Sequence, residues 1–324
     1  MNIKKRILIT GASGYIGSRL SLFLAEKGHD IYAVCHHEVP ENENWKSKMH
    51  KIFVGDVSKP SFIKSLGKEN VDTIIHLVSL DHNDSEKNNE KAFSVNVNPI
   101  ALLLETFKDS AVNKVLYFST TQVYGRNLKN NVIEKQPATP ANMYGLTHSI
   151  CESIMDYYHS PEFKCINLRL SNSYGAPVFK HSNCWKLVIN DLCKMAFENQ
   201  EIRLLSDGTP LRDFIHYSDL CRAVEVVLGS NTVENTFNLS DGKTHSIIEL
   251  SFIVKKVYNK KYDKSIPVFL KNGNMVEAIQ SGDDEKRYTV DNSRIKEIGF
   301  MPKTNLESGV GQLFDYLDIS KPVN

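Results

Sequence analysis

The chain has 324 residues, 41% hydrophobic and 24% charged, enough for one large domain or for a domain carrying a smaller lobe. Lys and Arg total 39 against 38 Asp and Glu, with no long run of one sign and no basic stripe interleaved with aromatics. That balance argues against nucleic acid or an anionic membrane as partner and for a small molecule. The apolar run after Met1-Asn-Ile-Lys-Lys-Arg is too short for a signal peptide, and no stretch approaches the roughly 20 apolar residues of a membrane span, so a cytoplasmic location is expected. The cysteines at 35, 151, 165, 184, 193 and 221 show no C-x-x-C pair or metal-ligand spacing and read as buried free thiols, with no metal expected.

Taken in chain order, Ile7–Thr10 reads as a strand buried on both faces, followed at once by a glycine-rich turn. From Tyr15 to Lys27 the apolar residues Ile16, Leu20, Phe23 and Leu24 recur at helical spacing, and Gly28 closes the segment. Further strands are expected at 31–35, 51–54, 71–78, 114–119 and 165–170, separated by helical stretches. The polar stretch Asp81–Lys91 reads as a mobile loop, leading into a helix that Pro99 should kink. This alternation specifies an α/β fold, a doubly wound, mostly parallel sheet of the Rossmann type, because parallel strands need a crossover between them. The expected dinucleotide-binding domain spans 1–174, with 212–243 returning to it, and 175–211 with 244–324 form a smaller C-terminal substrate-binding lobe.

Gly11, Gly14 and Gly17 fall just after a strand and just before a helix. In that context the first permits a tight turn, the second admits a pyrophosphate close to the backbone, and the third lets helix and strand pack. Tyr15 and Ile16 lie within the same turn, whose helix N-terminus offers N–H groups to an anion. The second strand of such folds usually ends in an acid for the ribose hydroxyls. Here it ends Cys35-His36-His37, which leans toward NADP while leaving NAD open.

The motifs Thr10-Gly-Ala-Ser-Gly-Tyr-Ile-Gly17, Gly55-Asp-Val57, His76-Leu-Val-Ser79, Phe118-Ser-Thr-Thr-Gln-Val-Tyr-Gly125, Tyr144 with Glu152, Leu168-Arg-Leu-Ser-Asn-Ser-Tyr-Gly175, Arg212-Asp-Phe-Ile-His216 and Gly299-Phe-Met-Pro302 stand in order along nearly the whole chain. In this order and spacing the sequence resembles the extended short-chain dehydrogenases, the NAD(P)-dependent nucleotide-sugar epimerases and dehydratases. The resemblance implies an oxidoreductase or epimerase acting at C4, or a neighbouring carbon, of a nucleotide-diphosphate sugar, in the synthesis of surface-polysaccharide sugars. It places Asp56 and Val57 at the adenine, and Leu77, Val78 and Ser79 on the nicotinamide side. Asn96 and Ser119 are placed near the same pocket.

The resemblance also assigns the catalytic hydroxyl to Thr120 and the acid/base to Tyr144. Oxidising an alcohol removes a hydride from carbon and a proton from oxygen, so a base must meet the hydroxyl. The family's lysine four residues after the tyrosine, which also holds the nicotinamide ribose, is His148 here, on the same helical face; with Tyr144 it is expected on the cofactor, where an imidazole can bond the ribose, but its charge should help Tyr144 only partly and in a pH-dependent way. The family's dehydratases carry Asp-Glu where this chain has Thr121-Gln122; neither residue can act as an ionised base, which disfavours dehydration. Substrate contacts are expected from Ser79, Thr120, Thr121, Gln122, Asn172 and Arg212. Arg287 stands near the position of a second family arginine, where this chain reads Gln280-Ser-Gly-Asp283. A homodimer is expected by resemblance, through the helix around Ala92–Phe107 and the helix following Tyr144. A dehydratase with a relocated acid and a catalytically weakened cofactor-binding protein are the rival readings.

Overall fold

Alternate residues of the first strand enter different layers: Ile7 and Ile9 pack into one hydrophobic core and Leu8 into another. A strand with both faces buried belongs in the interior of a sheet covered on both sides. In the computed structural model, which describes residues 4–126, 128–180, 182–279 and 287–320, the strand Arg6–Thr10 lies between Asp30–Cys35 and Thr73–His76, parallel to both. Lys51–Val54 closes the sheet beyond Asp30–Cys35, while Lys114–Thr120, Lys164–Leu170 and Thr236–Leu239 extend it beyond Thr73–His76. Among the described residues this makes a seven-stranded, wholly parallel sheet. The expected Rossmann class is thus borne out. The strand order reverses direction between Arg6–Thr10 and Thr73–His76, and ligands of such sheets bind beyond the carboxyl ends of the strands at that point.

A third core, outside the two sheet layers, gathers Tyr174, Ile189, Leu192, Phe214, Leu250, Val254, Val310 and Phe314. It is built mainly from the helices Val188–Asn199, Ile247–Tyr262 and Leu306–Ser320. A small sheet of Asn172–Tyr174, Leu211–His216 and Thr244–Ser246 stands between this core and the main sheet. All six cysteines are buried and unpaired. No described helix is long and apolar enough to cross a membrane.

One expectation needs correction. The stretch from 81 to 91 is not a loop: Asp81 caps the helix His82–Lys87 by accepting from the Asp84 N–H, and Asn88 caps Asn89–Ala92 by accepting from the Lys91 N–H. Pro99 stands in the first turn of the helix Asn98–Phe107, which runs on directly from a π-helical turn over Phe93–Val97. That turn is the irregularity beside the proline, and it carries Asn96 inward.

Candidate active site

The glycine turn is built as its spacing requires. Gly11 has φ +76, a conformation that strains residues with a side chain, and a Cβ on Gly17 would stand 2.1 Å from the Gly11 carbonyl oxygen. The helix Tyr15–Glu26 therefore starts hard against the turn. Its cap, Gly14, supplies no side-chain hydrogen bond, and no acid occupies the first turn, so the leading N–H groups are left for an anion. These features fit a dinucleotide pyrophosphate. Leu77 and Val78 pack on Gly11, which brings the end of the fourth strand to the same cleft. The Tyr15 hydroxyl donates to the Gly175 carbonyl at 2.9 Å, so its side chain points to the small sheet, and Ile16 packs into the core.

At the end of the second strand Cys35 is buried, whereas His36 and His37 are exposed with ring centroids 3.6 Å apart. His36 Nε2 lies 3.9 Å from an Asp56 oxygen, which also accepts the Ser58 N–H at 2.8 Å, and Val57 is buried beside them. Asn96 is buried beside these elements. Its side chain accepts from the Leu80 N–H at 2.8 Å and donates to the Thr147 hydroxyl at 3.0 Å, so it braces the chain after Ser79 against the helix Met143–Tyr158.

The acid/base candidates meet where the strand Lys114–Thr120 ends and that helix begins. Thr120 is buried and its side-chain oxygen accepts the Gln122 N–H at 3.2 Å, while Tyr144 stands in the first turn of the neighbouring helix, near enough for the Thr120 hydroxyl to act on its phenol. Desolvation pushes the Tyr144 phenol up to about 12; the charge of Asp81 pushes the same way and the Thr120 bond opposes it. His148 is packed edge-on against Tyr144, with ring centroids 4.4 Å apart. Burial, with His76 close by, drives the imidazole down to about 3. Burial thus favours the neutral ring over the partial charge expected for His148. Its Nδ1 stands 2.6 Å from the Tyr117 hydroxyl and its Nε2 3.3 Å from the Ser79 hydroxyl.

The Ser119 hydroxyl donates to Glu152 at 2.6 Å, and Glu152 pairs with Arg169 at 2.7 Å, so Ser119 ties strand to helix. Thr121 and Gln122 open a short 3₁₀ turn after Thr120. The Gln122 carbonyl oxygen accepts from the Asn142 amide at 2.9 Å, while the Asn142 oxygen is taken by the Gly145 N–H at 2.7 Å. That order leaves the Gln122 NH₂ as the group free to meet a ligand: a donor with no basic character. Sequence reasoning missed both Asn142 and Tyr117. The first had a local signal, an Asn two residues before Tyr144 in capping position; the second had none.

On the substrate side, Asn172 and Arg212 lie on neighbouring parallel strands of the small sheet. Asn172 donates to the Asp213 carbonyl at 2.9 Å, and Arg212 is exposed, donating to the Leu211 carbonyl at 2.8 Å and lying close to the Tyr288 phenol. Arg212 pairs with neither neighbouring acid: Asp213 accepts three backbone N–H groups from Asp241, Gly242 and Lys243, and Asp219 pairs with Arg222. Arg287 reaches the same sheet by donating to the Thr244 carbonyl at 3.0 Å, but its guanidinium is paired with Glu249. Gln280–Asp283 lie outside the described residues.

The family model for the NAD dependent epimerase/dehydratase family matches residues 7–240. Among curated relatives, a trifunctional UDP-glucose 4,6-dehydratase, 3,5-epimerase and 4-keto-L-rhamnose reductase of Arabidopsis thaliana is 26% identical over 96% of this chain and 47% of its own length. The chain thus spans about half the length of the plant relatives it matches. A dTDP-D-glucose 4,6-dehydratase of Mus musculus is 23% identical over 96% of this chain and 88% of its own. Among solved structures, the UDP-glucose 4-epimerase of Thermotoga maritima, with UDP-glucose, superposes with a TM-score of 0.82 at 22% identity over 97% of this chain and 99% of its own. The UDP-glucuronic acid 4-epimerase of Bacillus cereus, with UDP-glucuronic acid and NAD, gives 0.77 at 22% identity over 97% and 99%. With a family model matched over most of its length and a sheet and glycine turn of that architecture, the chain belongs to the NAD-dependent epimerase/dehydratase family.

Proposed function

We propose that the protein transfers hydride at C4, or a neighbouring carbon, of a nucleotide-diphosphate sugar, by epimerisation or by reduction of a keto-sugar, and does not eliminate water. The nicotinamide, when bound, supplies or accepts the hydride. Thr120 and Tyr144 hold the reacting hydroxyl, and Tyr144 takes and returns its proton. Asn172 and Arg212 receive the diphosphate, for which arginine's forked donors are suited, and Arg287 contributes once released from Glu249. Ser79, Thr121 and Gln122 face the sugar. The lobe of 175–211 and 244–324 carries the nucleotide side, while 1–174 and 212–243 carry the cofactor.

The observation that carries this reading is Gln122 locked by Asn142 as a hydrogen-bond donor. A dehydratase needs an ionised carboxylate there, and the neighbouring Thr121 cannot replace it. Incubation with UDP-, GDP-, CDP- and dTDP-sugars and their keto forms is expected to give sugar inversion without net nicotinamide consumption, or stoichiometric oxidation of reduced nicotinamide with a keto-sugar. A 4-keto-6-deoxy product from a parent sugar overturns the reading in favour of dehydration, and no change with any sugar overturns it in favour of a binding protein. In the same titrations NADP should bind more tightly than NAD, because no acid ends the second strand and two exposed imidazoles stand there; the reverse order overturns the cofactor preference alone.

A homodimer is supported by the outer face of Met143–Tyr158, where Leu146 is 38% and Tyr157 84% exposed. Light scattering on the purified protein should give twice the 36.7 kDa chain mass, and a monomer overturns the assignment.

A further inference from the structure

The polar groups around His148 form a chain with a single direction of donation. At its far end the Ser79 hydroxyl donates to the Leu80 carbonyl at 2.8 Å, which spends its only proton, so toward His148 Nε2, 3.3 Å away, it can only accept. The imidazole must then carry its hydrogen on Nε2. Its Nδ1 is left as an acceptor, and the Tyr117 hydroxyl, 2.6 Å away, is the donor that fills it. Tyr117 is 1% exposed and rises from the middle of the strand Lys114–Thr120 under the helix that carries Tyr144 and His148. Behind it the Cys151 thiol spends its proton on the Asn96 carbonyl at 3.2 Å, so toward the nearby Tyr117 hydroxyl it offers only a weak sulfur acceptor, and the imidazole's Nδ1 at 2.6 Å is the better partner for the phenol's proton; the His76 ring stacks on Tyr117 at 6.1 Å.

We infer that Tyr117 is a positioning residue that holds His148 as a neutral imidazole with its Nε2–H turned toward Ser79 and the cofactor side of the cleft, where that N–H serves as a ribose-hydroxyl donor. The assignment rests on reading the cleft as a dinucleotide site. Its physical content is a separation of two tasks. A lysine at position 148 would both donate to the ribose and place a positive charge beside Tyr144. The Tyr117–His148 pair keeps the donor and gives up the charge, because an N–H fixed by a buried phenol cannot also be a cation in that setting. The groups facing His148 are Tyr117 and Ser79 through hydrogen bonds, Tyr144 edge-on and His76 nearby; none of them is a carboxylate.

The test begins with the wild-type protein, labelled with ¹⁵N-histidine and assigned by difference against His148→Gln. Long-range proton–nitrogen spectra should show His148 in the Nε2–H form and without titration between about pH 5 and 8, a window in which an ordinary histidine changes charge. An Nδ1–H form, or titration in that window, overturns the inference. In Tyr117→Phe the tautomer should become mixed, and NAD and NADP dissociation constants, followed by fluorescence of the reduced forms, should rise about threefold to tenfold, the loss of one hydrogen bond. Unchanged tautomer and affinity in a folded Tyr117→Phe overturn it as well, since a purely packing role would lower the melting temperature and leave both untouched. If that variant does not fold, the wild-type spectra decide. Sugar turnover does not enter these measurements, so a blank sugar screen leaves them standing, whereas wild-type protein binding neither dinucleotide overturns the cofactor reading and this inference with it.

Discussion

Tyr144→Phe is expected to lower kcat by about 10² to 10⁴, the usual contribution of a positioned acid/base, while changing cofactor affinity less than twofold. The variant removes one oxygen from a residue whose ring stays packed against His148 at 4.4 Å, so the cleft keeps its shape. Unchanged turnover with the sugar that the wild type accepts would remove Tyr144 from the chemistry. The pH profile of the wild type adds a second expectation. Desolvation holds the Tyr144 phenol up to about 12, so below that value it is protonated and the phenolate fraction grows tenfold per pH unit. His148, held at about 3, is already neutral throughout the working range and loses no proton there. The rate of alcohol oxidation should therefore climb through pH 6 to 9 with no inflection near the ordinary histidine value. An inflection near 6.5 that disappears in His148→Gln would show that the imidazole carries charge after all.

The cradle and the acid/base assignments differ in how far each was readable in advance, and the difference follows the range of the interactions. The turn from Gly11 to Gly17 is set by contacts within seven residues, including the approach of Gly17 to the Gly11 carbonyl, so spacing alone revealed it. The capped helices after Asp81 and Asn88 also rest on local bonds, three residues long; the polar composition of that stretch hid a cap signal that was present. The charge state of His148 is another matter. It depends on burial and on His76, and the hydrogen bond to its Nδ1 comes from Tyr117, 31 positions away; no spacing rule connects these residues. Ser119 and Arg287 were placed by resemblance at ligand positions, and each is engaged by a glutamate 33 or 38 positions distant that only the folded chain brings near.

The largest expected loss of stability comes from Glu152→Gln, at about 3 to 5 kcal/mol, because it strands a buried guanidinium without its counter-charge. Arg169 and Glu152 are 9% and 7% exposed, and their contact is two-pronged, at 2.7 and 2.9 Å. Burial alone would favour the neutral forms; the close carboxylate outweighs it and holds the Arg169 pKa above its ordinary value. Chemical denaturation of the two proteins should show a lower midpoint with an unchanged slope, and a shift below 1 kcal/mol would mean that water reaches the pair. The consequence for catalysis follows from where Glu152 sits. It lies on the helix of Tyr144 and His148, two further turns along, and it accepts the hydroxyl of Ser119, the residue immediately before Thr120. The same carboxylate thus anchors the helix bearing the tyrosine to the strand end bearing the threonine. In Glu152→Gln the Thr120–Tyr144 geometry should loosen and kcat should fall even under conditions where the variant is fully folded, while cofactor affinity, set largely by the glycine turn across the cleft, changes little. A variant destabilised to the expected degree yet catalytically intact when folded would show that this ion pair holds the fold without setting the site.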